Sequence, residues 1–407
     1  MRISAPLTKT QYGLYVECVN HQGEACYNIP YCYTLDGSLN DEKLCKAIEI
    51  AVAAHPTLFT RIEQGEDGEP VQIVDDAELF KLCVEKTTDI ESEKAKFVQP
   101  FNIVGDRLFR IRLLKDAQHY YILQDIHHII CDGASRKVLL ADIEKAYGGE
   151  ILESEAKTLA EVAKDEAELQ QTSAFEADKK WFAEQFDCGD CFSPLLPDLE
   201  EDGMKEGLLT HKMSVDTAKV DTFCKENGIF KSTLFTSAFA YLLAKYNNDS
   251  QVLFNTIHNG RANKLLAHSV AMLVRTLPVY AKFTDDTTVL DFLRADQEQM
   301  TGCRTHEVYT YSDAVHDLGL QTATTFAWHG DLFDSLTLGG KPMVAQRLNN
   351  NTLEVPLYVK AYIRNGQYCV EAEFNAHEYS VMLVSQFLES YEAVVEGFLS
   401  NTHLTDI

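Results

Sequence analysis

The segment HHIICDG, residues 127–133, lies where the sequence pattern of a strand changes into that of a helix. Before it, residues 119–126 read HYYILQDI and are rich in the aromatic and β-branched side chains of a buried strand. After it, residues 135–147 read SRKVLLADIEKAY, an amphipathic helical pattern that stops at Gly148-Gly149. The segment is therefore predicted to form a strand-to-helix turn, where the first backbone amides of the helix create a positive local potential.

Four residues of this turn are candidates for chemistry: His127, His128, Asp132 and Gly133. A histidine that faces a reaction cavity can remove or guide a proton near neutral pH. A helix N-terminus close by favours the neutral, basic imidazole because it penalises the imidazolium form. A His-His pair alone is usually structural, whereas the complete HHxxxDG pattern at such a turn is far more specific.

The bulk properties indicate a soluble protein that binds neither nucleic acid nor a membrane. A chain of 407 residues is longer than one hydrophobic core ordinarily supports, so two lobes are expected. A formal charge of −26 disfavours nucleic acid and anionic membranes, because both attract basic surfaces. The N-terminus has no apolar leader, and no apolar run is long enough to cross a bilayer. Eleven cysteines in apolar segments favour reduced thiols and a cytoplasmic location.

The rest of the chain predicts an α/β fold with mixed sheets (α+β) in two lobes. Residues 57–62 are expected to be extended, and residues 153–184 are helix-forming material without glycine or proline. An Asn-Gly pair at 365–366, between two strand-like runs, predicts a hairpin. We place the N-terminal lobe, which carries HHxxxDG, at residues 1–175 and the C-terminal lobe at residues 176–407.

Together these motifs resemble the condensation domains of nonribosomal peptide synthetases, whose superfamily includes chloramphenicol acetyltransferase and the carnitine acyltransferases. The resemblance extends over nearly the whole chain. Besides HHxxxDG it rests on LTKTQYGLY (residues 7–15), HPTLFT (55–60), NGR (259–261) and MLVRTLPV (272–279). Pro56 and Phe59 depart from the His-Glu-x-Leu-Arg-Thr pattern of the family, and Arg275 stands where asparagine is usual.

The resemblance implies two chloramphenicol-acetyltransferase-like lobes arranged in a V, with the active site at their interface. Donor and acceptor thioesters would reach it on the phosphopantetheine arms of carrier proteins, with no tightly bound cofactor and no metal, and an amide bond would form. It implies that His128 is the catalytic histidine and that Asp132 is structural and paired with Arg261. Gly133 would let the substrate approach and offer its N–H, while His127 would belong mainly to the scaffold.

Three interpretations of the function stay open at this stage. In the first, the chain is a condensation domain with an adenylation domain linked downstream, and an initiating (N-acylating) domain is one form of this interpretation. This expectation arises because the chain begins at a methionine without a docking segment and stops where such a linker would normally start. In the second, it is a free-standing acyltransferase that uses acyl-CoA and a soluble amine or alcohol. In the third, it is an inactive domain that only docks carrier proteins.

Overall fold

The computed structural model describes residues 2–21, 23–25, 27–75, 79–189, 191–331, 336–349 and 355–407. Its strands are β1 (Arg2–Pro6), β2 (Asn28–Asp36), β3 (Thr60–Gln64), β4 (Pro70–Asp75), β5 (Val84–Lys86), β6 (Phe109–Lys115), β7 (His119–His127), β8 (Glu206–Lys212), β9 (Gln251–His258), β10 (Arg275–Lys282), β11 (Thr325–Gly330), β12 (Thr337–Leu338), β13 (Lys341–Pro342), β14 (Val344–Arg347), β15 (Leu357–Arg364) and β16 (Gln367–Asn375). Its α-helices are α1 (Lys9–Asn20), α2 (Asp41–Ala53), α3 (Ile90–Phe97), α4 (Gly133–Gly148), α5 (Leu159–Leu169), α6 (Ser173–Gln185), α7 (Thr217–Asn227), α8 (Lys231–Tyr246), α9 (Val289–Thr305), α10 (Tyr311–Leu318) and α11 (Val381–Phe398). Short 3-10 turns lie at Pro56–Phe59, His128–Ile130, Lys264–Leu266 and Leu404–Asp406.

The predicted mixed α/β class is confirmed by the sheets. A five-stranded sheet has the order β14-β2-β7-β6-β5, and a six-stranded sheet has the order β10-β9-β11-β15-β16-β8. Each combines antiparallel pairs with parallel ones, namely β5 with β6 in the first, and β11 with both β9 and β15 in the second. A three-stranded sheet, β1-β4-β3, and the hairpin β12-β13 complete the set among the described residues.

Strand β7 is the central strand of the five-stranded sheet and delivers the HHIICDG segment. It pairs antiparallel with β2 on one side and β6 on the other, and its side chains from Tyr120 to His127 are buried. Helix α4 leaves the turn, packs against α2, and ends at Gly149, whose φ of 91° places it in the left-handed region that glycine tolerates. The predicted strand and helix on the two sides of the motif are both present.

The described chain divides into two compact units, each with its own core. The first comprises Met1–Gln171, Asn259–Val274 and Ser335–Asn351, and the second comprises Thr172–His258, Arg275–Asp334 and Thr352–Ile407. The predicted lobes, residues 1–175 and 176–407, follow chain order and so assign two later segments differently. Those two segments join the first unit through β14, which pairs with β2, and through Arg261, which pairs with Asp132.

One local prediction was wrong, and two were right. Residues 57–62 are not extended throughout, because Pro56 starts a 3-10 turn before β3. The helix-forming stretch at 153–184 does form helices, α5 and α6, and Thr172 caps the second by accepting the Ala174 N–H. The hairpin at 365–366 is present between β15 and β16, with φ of 52° at Asn365 and 70° at Gly366.

Within the described ranges, we find no helix that combines the length and the apolar character needed to span a membrane.

Candidate active site

His127 is buried at the end of β7 and is held as a neutral ring. Its Nδ1 accepts the Ile129 backbone N–H at 3.1 Å, so the proton of the neutral ring is assigned to Nε2. That nitrogen lies 3.5 Å from the Sγ of Cys18 on α1. Burial, and then the neighbouring His128, lower the pKa of His127 to about 3, so the ring stays uncharged at neutral pH.

His128 is the half-buried first residue of the 3-10 turn that follows β7. Its backbone N–H donates to the Tyr27 carbonyl at 2.7 Å, and its carbonyl accepts the Cys131 N–H at 3.2 Å. The Nδ1 of its ring is shielded from solvent and has no hydrogen-bond partner in the described part of the chain. The backbone of this residue is therefore fixed on both sides, while its ring keeps an unused polar atom.

Asp132 braces the turn through both of its carboxylate oxygens and is 2% exposed. Oδ1 accepts the Ser135 N–H at 2.8 Å and the Arg261 Nη2 at 2.9 Å. Oδ2 accepts the Arg261 Nη1 at 2.8 Å and the backbone N–H groups of Leu273 and Val274 at 3.0 and 3.1 Å. The carboxylate caps α4 and receives a bidentate guanidinium, which is the contact with Arg261 that the resemblance implies.

Gly260 brings Arg261 to this carboxylate. Its φ is +63°, and a Cβ at this position would lie 1.8 Å from the Leu273 carbonyl oxygen, so glycine is required for both reasons. Beyond the turn, the Arg261 Nη1 also donates to the Asn259 carbonyl at 2.9 Å, and the Arg261 side chain is 6% exposed.

Gly133 is the half-buried first residue of α4. Amides in the first turn of a helix have no acceptor within that helix. The Gly133 N–H therefore belongs to the set of amides that can face a ligand at this helix start.

Comparison with known proteins gives the same family for the whole chain. A family model described as "Condensation domain" matches residues 1–406. The chain belongs to the condensation domain family. Among curated proteins it is 27% identical to bacitracin synthase 3 of Bacillus licheniformis over 348 residues, which are 81% of this chain and 5% of that protein. It is also 27% identical to tyrocidine synthase 3 of Brevibacillus parabrevis over 323 residues, 77% of this chain and 5% of that protein.

Two solved structures, a condensation domain and an X-domain, have the same fold. The condensation domain of the monacolin K polyketide synthase superposes with a TM-score of 0.83 at 16% identity, covering 98% of both chains. The X-domain from teicoplanin biosynthesis superposes with a TM-score of 0.81 at 18% identity, covering 98% of this chain and 95% of the other. The chain spans only a small part of the curated synthases it matches. Enzymes of the condensation domain family are acyl- and peptidyltransferases that form amide bonds.

Ser135 is a residue of this condensation domain whose role the sequence analysis missed. Three donors lie within hydrogen-bond distance of its Oγ, whose two lone pairs they share: the Asp132 N–H at 3.3 Å, the Ala271 N–H at 3.0 Å and the Arg261 Nη2 at 2.9 Å. The single hydroxyl proton is donated to Asp132 Oδ1 or to the Ala271 carbonyl, both at 2.8 Å. The signal was present in the sequence, because Ser135 is three residues after the cap Asp132, where a reciprocal capping box places a polar side chain.

Asp125, two residues before His127, is a second buried carboxyl group that sequence reasoning did not single out. Burial raises its pKa to about 7, although Arg110 and Asn28 oppose the shift. Its Oδ2 accepts the Asn28 Nδ2 at 2.8 Å and lies 3.3 Å from the Arg110 Nε. Its position on the buried strand supports the scaffold around His127.

The described residues do not form a metal site. Among the described ranges, no three or more His, Cys, Asp or Glu side chains are grouped so that they could hold a metal ion. The ten described cysteines are all free thiols.

Proposed function

We propose that this condensation domain joins a donor acyl or peptidyl thioester to the amine of an acceptor aminoacyl thioester. Both substrates would be carried on the phosphopantetheine arms of carrier proteins, and no cofactor would be bound tightly. The observation that supports this proposal most is the braced HHxxxDG turn. In this turn the Asp132 side chain caps the start of α4, and Arg261 neutralises the Asp132 carboxylate. A buried, charge-paired brace of this kind fixes the position of His128 better than a surface loop would.

The proposed chemistry is an acyl transfer with two bond changes. The nitrogen of the acceptor attacks the carbonyl carbon of the donor thioester, a C–N bond forms, and the C–S bond breaks to release the donor thiol. We assign to His128 the contact with the attacking amine, which it orients or relieves of its proton. The Gly133 N–H is assigned to the oxyanion that forms on the carbonyl oxygen, because the amides of a helix start stabilise negative charge.

The assembly around the domain is part of the same proposal. The curated relatives are synthases many times longer than this chain, since the match covers 5% of bacitracin synthase 3 and 5% of tyrocidine synthase 3. We propose a covalently linked adenylation domain downstream, donor and acceptor carrier proteins as partners, and work in the cytoplasm. An initiating, N-acylating role is the form in which the donor would be a fatty acyl thioester.

The test is intact-mass analysis of the acceptor carrier protein after incubation with a loaded donor carrier. A mass increase equal to the donor acyl group supports condensation, and a fatty acyl donor that reacts in preference to a peptidyl donor supports the initiating role. Product formed from acyl-CoA and a soluble amine, without carrier proteins, would favour the free-standing acyltransferase. Carrier binding without any product would favour the inactive docking domain.

The matched variants are His128→Ala and His316→Ala. His316 lies on α10 with 88% of its side chain exposed, so its loss controls for removal of a histidine as such. We expect the first variant to lose product and the second to retain it. If both variants form product at the wild-type level, His128 is not the catalytic group.

A further inference from the structure

A half-buried basic cluster lies within the second unit, formed by His258, Arg275 and Arg304. His258 ends β9 and Arg275 begins β10, and the two are direct partners in the antiparallel register. Directly opposed residues have Cβ atoms about 5 Å apart. Arg304 lies in the last turn of α9, a helix that packs on β10. Three elements of one unit thus bring their basic side chains together.

Two positive charges, those of Arg304 and Arg275, act on the His258 ring. Burial, and then Arg304 and Arg275, lower the pKa of His258 to about 4, so the imidazole is neutral at physiological pH. The carboxylate of Glu307 is 3.8 Å from the Arg275 Nε, and its side chain is 48% exposed. It therefore lies at the edge of the cluster and offsets part of the Arg275 charge. Two permanent cations are therefore held beside a neutral ring, in a chain whose formal charge is −26.

The Arg304 guanidinium is fixed by its own helix. Its Nε donates to the Met300 carbonyl at 3.2 Å, and its Nη2 donates to the Thr301 Oγ1 at 3.0 Å. A guanidinium carries five N–H donors, so these two contacts orient the group and leave further donors for a ligand. A planar, oriented guanidinium recognises the oxygens of carboxylates and phosphates.

We propose that His258, Arg275 and Arg304 form an anion-binding site that takes the charged group of a thioester substrate. The anion is either the phosphodiester of the phosphopantetheine arm or a carboxylate on the acyl group, since both present the same charged oxygens. In a strongly acidic protein, a local positive field of this kind selects where an anionic group settles. The inference rests on the proposed function, because that function supplies the thioester substrates.

The test is calorimetric titration of the whole chain with two pairs of soluble probes at low salt. One pair is 4′-phosphopantetheine and the neutral pantetheine, and the other is the succinyl and butyryl thioesters of N-acetylcysteamine. We expect the charged member of at least one pair to bind more tightly than its neutral counterpart, and the pair that discriminates identifies the source of the anion. Arg275→Gln and Arg304→Gln should each weaken that binding about tenfold, the effect of losing one charge-assisted contact.

The matched control is Arg294→Gln, because Arg294 lies on the same helix α9 but is exposed. It should bind the charged probe as the wild type does, and thermal unfolding should show that each variant is folded. The proposal is overturned if neither charged probe is preferred, if the folded Arg304→Gln variant binds like the wild type, or if Arg294→Gln loses as much. Binding of these probes does not require turnover, so a failure of condensation in the carrier-protein assay would leave this result standing and the two failures can be told apart.

Discussion

Asp132 and Arg261 are the residues on which the geometry of the turn depends. Their side chains are 2% and 6% exposed, and the pair is joined by two N–H···O contacts. Removing one partner of a buried pair leaves the other charge without compensation, and that cost is larger than the net strength of the pair itself. The pair also ties residues that lie 129 positions apart in the chain.

Asp132→Ala should therefore lower the free energy of unfolding by about 3–5 kcal/mol, because it strands the Arg261 guanidinium. Urea denaturation at neutral pH measures this loss. Lys180→Ala is the control, since Lys180 and Glu184 form an exposed pair at 3.8 Å with side chains 79% and 63% exposed. An exposed pair of this type contributes about 0–1 kcal/mol. A loss in Asp132→Ala no greater than in the control would show that the carboxylate is not a brace.

Gly260→Ala should be more destabilising than Gly228→Ala, although both glycines have similar backbone angles. The φ values are +63° and +68°, so both substitutions carry the strain of a left-handed residue, about 1 kcal/mol. Only at Gly260 would the new Cβ also lie 1.8 Å from a backbone oxygen, that of Leu273, whereas nothing lies within 4 Å at Gly228. Equal midpoints of urea denaturation for the two variants would contradict the close approach.

Between the helices α8 and α9 lies a carboxyl group that is buried away from solvent. Asp296 on α9 is 4% exposed, and burial raises its pKa to about 7, while the nearby Ser237 on α8 opposes the shift. Its Oδ2 has no hydrogen-bond partner in the described part of the chain. The packing of these two helices therefore favours the protonated, neutral acid.

This burial should make the stability of the protein fall as the pH rises. The folded state binds the Asp296 proton more tightly than the unfolded state, so between about pH 4 and pH 7 it holds more protons and loses stability with increasing pH. Asp296→Asn keeps the shape and removes the titration, so the difference in free energy of unfolding between wild type and variant should change across this window. Asp285→Asn, at an exposed position, is the control. A difference that is constant from pH 4 to pH 8 would show that Asp296 does not titrate with a raised pKa.

At the scale of the whole molecule, local patterns predicted the elements better than their long-range partners. The strand before HHIICDG, the helix after it and the hairpin at 365–366 follow from periodicity and turn chemistry, and all three are present. The contact between Asp132 and Arg261 came from the family resemblance, because no local pattern relates two residues so distant in sequence. The hydrogen bonds of Ser135 and the close approach at Gly260 both depend on the position of residues 271–273. That position is set by the tertiary structure and not by the local sequence.

The pairing of β14 with β2 could not be predicted from the local sequence of β14. Its residues Val344–Arg347 pair with Tyr31–Thr34, and each of its four side chains is exposed, so β14 lacks the alternating burial that marks a strand in sequence. β14 is an edge strand, and its pairing is specified by the backbone groups of β2 rather than by a side-chain pattern of its own. The chain-order division into two lobes therefore places β14 in the C-terminal lobe, whereas the structure groups it with the first unit.

The proposed function depends above all on His128 promoting amide formation from its braced turn. The most direct measurement is the single-turnover rate of transfer from a loaded donor carrier to a loaded acceptor carrier, for the wild type and His128→Ala at equal saturation. We expect the variant to keep its melting temperature but to transfer about 100- to 10,000-fold more slowly, the range expected when a positioned acid–base group is lost. A folded His128→Ala variant that transfers at the wild-type rate would contradict it.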